Sequence, residues 1–154
     1  MTIALMTFVL PVRLAATGLA DLLERADIGA LPLLIGFILL VFVIDIIMPG
    51  VIPKWAILAP IFIPLFYRLG IAPQTVIAAY RVGDGPANVI TPLMVYLPFI
   101  VLVCQRYRKK AGMGTVVSMM LPYTGIVLVT WTLFYILWYV IGIPWGPSAP
   151  VHLG

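Results

Sequence analysis

Asp45 and Asp84 are the acidic residues inside the apolar portion of this chain. An ionisable group in a membrane segment is costly, so its presence there points to a function. Asp84 sits in the stretch "YRVGDGPANVITP" (80–92), the most polar and most helix-breaking part of the apolar region. Asp45, Asp84, Asn88 and Thr91 supply hard oxygens of the kind a Na⁺ ion prefers. Arg81 carries a planar, two-pronged donor that matches a carboxylate on a small anionic substrate. Its alternative role is to neutralise Asp84. Two membrane aspartates could also share a proton, as in an intramembrane aspartic protease. The second aspartate of those enzymes follows a Gly-x-Gly pattern, whereas Arg81-Val82-Gly83 precedes Asp84 here. An adjacent arginine also favours the charged carboxylate over a shared proton, so the sequence reads as a non-enzyme. His152 has no Cys, His, Asp or Glu near it, so it makes no metal site, and nothing calls for a cofactor. Cys104 lies in an apolar run and reads as a packed residue.

These groups must be positioned by membrane helices. Mean hydropathy is +1.19. Only 9% of residues are charged, against about a quarter in a soluble domain. The chain is therefore an all-α integral membrane protein whose first partner is the lipid bilayer. With 154 residues it holds a handful of spans and no soluble domain. The net charge of +4 is no footprint of nucleic acid. Four basic residues fall at Arg106, Arg108, Lys109 and Lys110, beside an apolar run, where they signal topology.

Residues 1–14 read as the end of a span. The first positive charge, Arg13, follows the apolar run, so this is no signal peptide. Residues 15–28 place Leu19, Leu22 and Leu23 against Asp21, Glu24, Arg25 and Asp27, an amphipathic interfacial helix. From residue 30 an apolar run meets Asp45 after about 15 helical residues, which rise some 22 Å and fall short of a full crossing. "MPGVIPK" follows, then a second apolar arm to Arg68. Residues 30–68 thus read as a re-entrant hairpin with its tip near 45–54, or as two ordinary spans joined by a loop. Residues 73–104 form one interrupted helix. Its break is expected at 81–88, where Pro86 removes a backbone donor and Gly83 and Gly85 permit angles a helix forbids. The alternative is an exterior loop between two spans. Residues 105–113 form a basic cytoplasmic loop and 115–142 the last span, with Trp131, Tyr135, Trp138 and Tyr139 suited to an interface. The carboxyl terminus is then extracytoplasmic. Paired interrupted helices at mid-depth are how many secondary transporters build ion and substrate sites. A purely structural subunit would leave both breaks unexplained.

"KWAILAPIFIPLF", "AAYRVGDGPANVITPLMVYLPFIVL" and "GMGTVVSMMLPYTGIVLVTWTLFYILWY" together resemble the carboxyl-terminal part of the p-aminobenzoyl-glutamate transporter (AbgT) family. The resemblance covers residues 15–146. Lys54-Trp55 and Tyr80-Arg81-x-Gly83-Asp84…Asn88 are its most specific parts. It implies an ion-transporter fold of inverted repeats, each with a re-entrant hairpin and a broken helix. It also implies a homodimer in a bacterial inner (cell) membrane, and coupling to Na⁺ or H⁺. The implied cargo is p-aminobenzoyl-glutamate or related folate breakdown products, with export of sulfonamide-type antimetabolites in some members. By position, Asp45, Trp55, Asp84 and Asn88 would line the site. Some members carry asparagine at position 45, a Gly/Ser-rich tip in place of "MPGVIP", and serine where Gly85 stands. An aspartate at 45 adds a titratable charge and brings proton coupling into play. On this resemblance the chain is one half of a repeat pair, with half a site.

Overall fold

The computed structural model describes residues 29–48 and 50–151. Expectations for the amino-terminal span end, the amphipathic helix and His152 lie outside the described residues. Among the described residues five helices follow in order: α1 (Ala30–Ile47), α2 (Val51–Arg68), α3 (Pro73–Ala87), α4 (Leu97–Tyr107) and α5 (Met113–Ile141). By length and composition α1, α2 and α5 are each able to cross a membrane. Among the described residues there is no strand, only an isolated bridge between Gly146 and Ala149.

α3 is the centre of the assembly, packed between α1 and α5. Its buried residues include Thr75, Val76, Ala79, Tyr80, Gly83, Asp84 and Ala87, a stripe with helical period. α1 answers with Leu34, Phe37, Ile38, Val41 and Asp45, spaced in the same way. The two helices approach closely because Gly83 has no side chain. A Cβ there would sit 2.5 Å from the Ile38 carbonyl oxygen and 2.9 Å from Val41 Cβ. On the other side, a Cβ on Gly85 would meet the Trp131 ring of α5 at 2.8 Å.

The break therefore lies elsewhere than the sequence suggests. Arg81 to Ala87 are all helical, and both glycines serve packing rather than unusual backbone angles. The helix gives way over residues 88–96, a chain of turns in which Met94 N–H bonds Thr91 O and Leu97 N–H bonds Met94 O. Pro92 explains the position. It has no N–H to continue the ladder onto Asn88, and it biases Thr91 away from the helical region. The end of α3 is satisfied locally. Asn88 Nδ2 donates to Asp84 O at 2.8 Å, while Ile90 and Thr91 N–H both reach Ala87 O.

The hairpin tip is also tighter than 45–54. Asp45 and Lys54 both lie within helices, and only residues 48–50 link them. Gly50, at φ 112°, makes the reversal. Pro53 falls in the first turn of α2, where its missing N–H has no helical acceptor to lose. The arms touch at the tip and again through their aromatic side chains. Asp45 meets Lys54, and eight residues further down each arm Phe37 meets Phe62, with ring centroids 4.6 Å apart.

α5 ends on Gly142 in the left-handed conformation, whose N–H bonds Trp138 O. The tail beyond it folds back over the start of α3. Fully buried Thr75 is the hub: Oγ1 donates to Val151 O at 2.7 Å and accepts from Trp145 Nε1 at 3.0 Å. Tyr135 of α5 donates to the Thr75 carbonyl at 3.1 Å, and its ring stacks on Trp145. Tyr135 and Tyr139 are thus packing residues of this corner. Thr75→Val keeps the shape but strands the Trp145 N–H and the Val151 carbonyl. The expected cost is about 1–3 kcal/mol, read as a lower melting temperature and faster protease cleavage between Gly142 and Val151.

Candidate functional site

The charged centre lies where the hairpin tip meets α3. Asp45 approaches it from the last turn of α1, Lys54 from the first turn of α2, and Asp84 from the last turn of α3. Their relative exposures are 0%, 1% and 3%. The Lys54 ammonium bridges the two acids, bonded to Asp45 Oδ1 and 2.6 Å from Asp84 Oδ1. It also lies 5.6 Å from the centre of the Tyr80 ring, within cation–π range. The contacts that a salt bridge needs in order to offset desolvation are incomplete here. Asp45 Oδ2 is buried and has no hydrogen-bond partner among the described residues.

Three further contacts pin the tip against α3 and the break. The Tyr80 hydroxyl donates to Val51 O at 2.8 Å. The Thr91 hydroxyl, fully buried, donates to Ile46 O at 3.0 Å and so satisfies a carbonyl at the open end of α1. Trp55 stacks at a tilt on Tyr80, centroids 4.7 Å apart. Asn88 Nδ2 sits 3.4 Å from Asp84 Oδ2. The half-buried Asn88 also borders a cavity of about 260 Å³ whose walls include Met94, Leu97, Ile100, Val116 and Met120.

The charged and polar residues at this centre and its rim are thus Asp45, Lys54, Tyr80, Asp84, Asn88 and Thr91, with Trp55 alongside as an aromatic wall. Arg81 stands apart. It is exposed on α3, and Asp84 is paired with Lys54 instead. Lys54 is the residue that reading acids and breaks did not single out. Its signal was available: a lone lysine between two apolar arms is an intramembrane ionisable group by the same rule that drew attention to the aspartates. An ammonium between the carboxylates also removes the direct carboxyl–carboxylate contact on which a protease dyad depends.

Charged side chains converging where a helical hairpin meets a broken helix is how many secondary transporters build their sites. The chain belongs to the AbgT putative transporter family, whose profile matches residues 3–153. It is 35% identical over 133 residues to the p-aminobenzoyl-glutamate transport protein of Escherichia coli K12, covering 86% of this chain and 26% of that protein. It superposes on the crystal structure of the Alcanivorax borkumensis YdaH transporter with a TM-score of 0.84 and 38% identity, over 88% of this chain and 29% of that one. The Neisseria gonorrhoeae MtrF structure, described as illuminating a class of antimetabolite efflux pumps, matches with a TM-score of 0.75 and 41% identity, over 85% of this chain and 26% of that one. The chain thus spans between a quarter and a third of the length of these relatives.

Proposed function

We propose that this chain supplies half of the ion and substrate site of a secondary active transporter for p-aminobenzoyl-glutamate or a related folate-derived anion. The coupling ion is Na⁺ or H⁺. The observation that carries this reading is the buried Asp45–Lys54–Asp84 cluster, which joins a helical hairpin to a broken helix and holds two acids for one base. A transporter uses such a junction because ion binding there alters how two movable elements are held together. In this reading Asp45, Asp84, Asn88 and Thr91 serve the ion. Trp55 and Asn88 face the substrate, and Arg81 meets it from the exposed side of α3. α1 and α2 form a re-entrant hairpin in a bacterial inner membrane, with the carboxyl terminus extracytoplasmic, and the complete protein is a homodimer. The substrate class is drawn from the curated relative, and the efflux description of the gonococcal relative favours outward movement as the second reading of direction.

The test is uptake of labelled p-aminobenzoyl-glutamate into proteoliposomes holding the complete natural protein, under imposed Na⁺ or H⁺ gradients. Saturable movement driven by one of them is expected. Movement indifferent to both would sink the coupled mechanism. Residues 1–154 reconstituted by themselves are expected to give only background uptake, because one repeat presents half of a site that forms between repeats. Gradient-driven uptake by those residues alone would overturn the half-site assignment.

A further inference from the structure

We propose that Lys54 is a tethered resident cation that sets how many external positive charges the site takes. The inference rests on the transporter reading above and deepens it.

Two buried carboxylates left to themselves would demand two neutralising charges, because an unpaired ion in a low-dielectric setting is strongly disfavoured. Lys54 supplies one of them from within the chain, and its Nζ occupies the place between Asp45 and Asp84 where an ion bridging the two would sit. The other charged and titratable groups do not change the sum. On α3, Tyr80 directs its hydroxyl to the Val51 carbonyl, and Arg81 is exposed. Thr91, from the break, is neutral, and α5 contains no charged residue. One negative charge remains, and the geometry says where it is felt. Asp45 Oδ2 is a fully buried acceptor with no hydrogen-bond partner among the described residues. The site therefore takes one monovalent positive charge, a Na⁺ ion or a proton. Lys54 is a specificity-determining residue because it prevents the demand for a second.

A charge series in the complete natural protein tests this. Lys54→Met leaves two uncompensated acids, Asp45→Asn leaves none, and the double variant Lys54→Met with Asp45→Asn returns to one. The readout is the slope of the melting temperature against log cation concentration, which rises with the number of ions held by the folded state. One arm titrates Na⁺ against N-methyl-glucamine at constant ionic strength and mildly alkaline pH. The other titrates acid without Na⁺. In whichever arm the unmodified protein responds, Lys54→Met should show about twice its slope, Asp45→Asn a flat line, and the double variant the original slope. If Lys54→Met fails to fold, Asp45→Asn and the double variant still decide the matter. Overturning results are an Asp45→Asn slope equal to that of the unmodified protein, a double variant as flat as Asp45→Asn, or no response in either arm. Binding is read here without transport, so this series can fail while gradient-driven uptake stands, and the reverse.

Discussion

Asp84→Asn in the complete natural protein should abolish ion-coupled transport while leaving membrane insertion and folding intact. Asparagine matches aspartate in size and keeps an acceptor oxygen for the Lys54 ammonium, so the packing of α3 against α1 is undisturbed. Lys54 also keeps Asp45, its partner across the hairpin tip, so no buried cation is left alone. What disappears is the negative charge that ties the hairpin to α3 and makes the cluster short of one positive charge. Once Lys54 and Asp45 neutralise each other, the site has no electrostatic reason to draw in an ion, and substrate movement loses its coupling. Coupled flux should fall to the background of protein-free liposomes. Gradient-driven uptake in proteoliposomes is the measurement, with protease protection and melting temperature as controls for insertion. Unchanged ion-driven uptake by Asp84→Asn would remove Asp84 from the ion site.

The acids of this site were legible in the sequence because cost reveals them. Asp45 and Asp84 stand inside apolar runs, and the structure brings both to one lysine. Asn88 and Thr91 were legible for a related reason: polar residues next to a helix interruption have backbone groups to serve, and both do so, on Asp84 O and Ile46 O. Lys54 was obscured by its neighbours. Between Pro53 and an apolar arm it marks only the end of the Pro/Gly-rich tip, and the fold alone shows it buried between two acids. Arg81 is the converse case. Its nearness to Asp84 along the chain suggested a pair, but three residues along a helix turn the two side chains some 60° apart. That difference puts Asp84 in the interior and Arg81 on the exposed side.

The helix runs through Gly83, Gly85 and Pro86 for a physical reason that generalises. Glycine and proline signal a helix interruption only when nothing larger is at stake, and here α3 needs small residues where it touches α1 and α5. Tertiary packing holds Gly83 and Gly85 helical despite their poor propensity. Pro86 is carried near the helix end, and the chain stops only when Pro92 comes due. The tail was the least legible element. "GIPWGPSAPV" has no periodicity, and its order comes from Thr75, some seventy residues earlier. No local pattern carries a hydrogen bond of that range.

Gly83→Ala is expected to be the most damaging of the small substitutions. The added methyl would lie 2.5 Å from the Ile38 carbonyl oxygen and 2.9 Å from Val41 Cβ, both on the facing helix. A flexible side chain could step aside from such a contact, but a backbone carbonyl moves only with its helix. α1 must therefore slide away from α3. Overpacking of this kind costs about 1–3 kcal/mol in a well-packed core, offset by the roughly 0.5–1 kcal/mol that alanine gains over glycine in a helix. The loss should fall at the site as well as on stability, since Gly83 is adjacent to Asp84 and opposite the turn of α1 that leads to Asp45. Widening this contact separates the carboxylates that Lys54 spans. Gly36→Ala on α1 isolates the propensity effect, because a Cβ there meets nothing within 4 Å among the described residues. Melting temperature and gradient-driven uptake should both fall in Gly83→Ala, while Gly36→Ala should hold or raise the melting temperature. A Gly83→Ala protein as stable and as active as the unmodified one would mean that α1 and α3 do not need this approach, and that the cluster is held together by its charges alone.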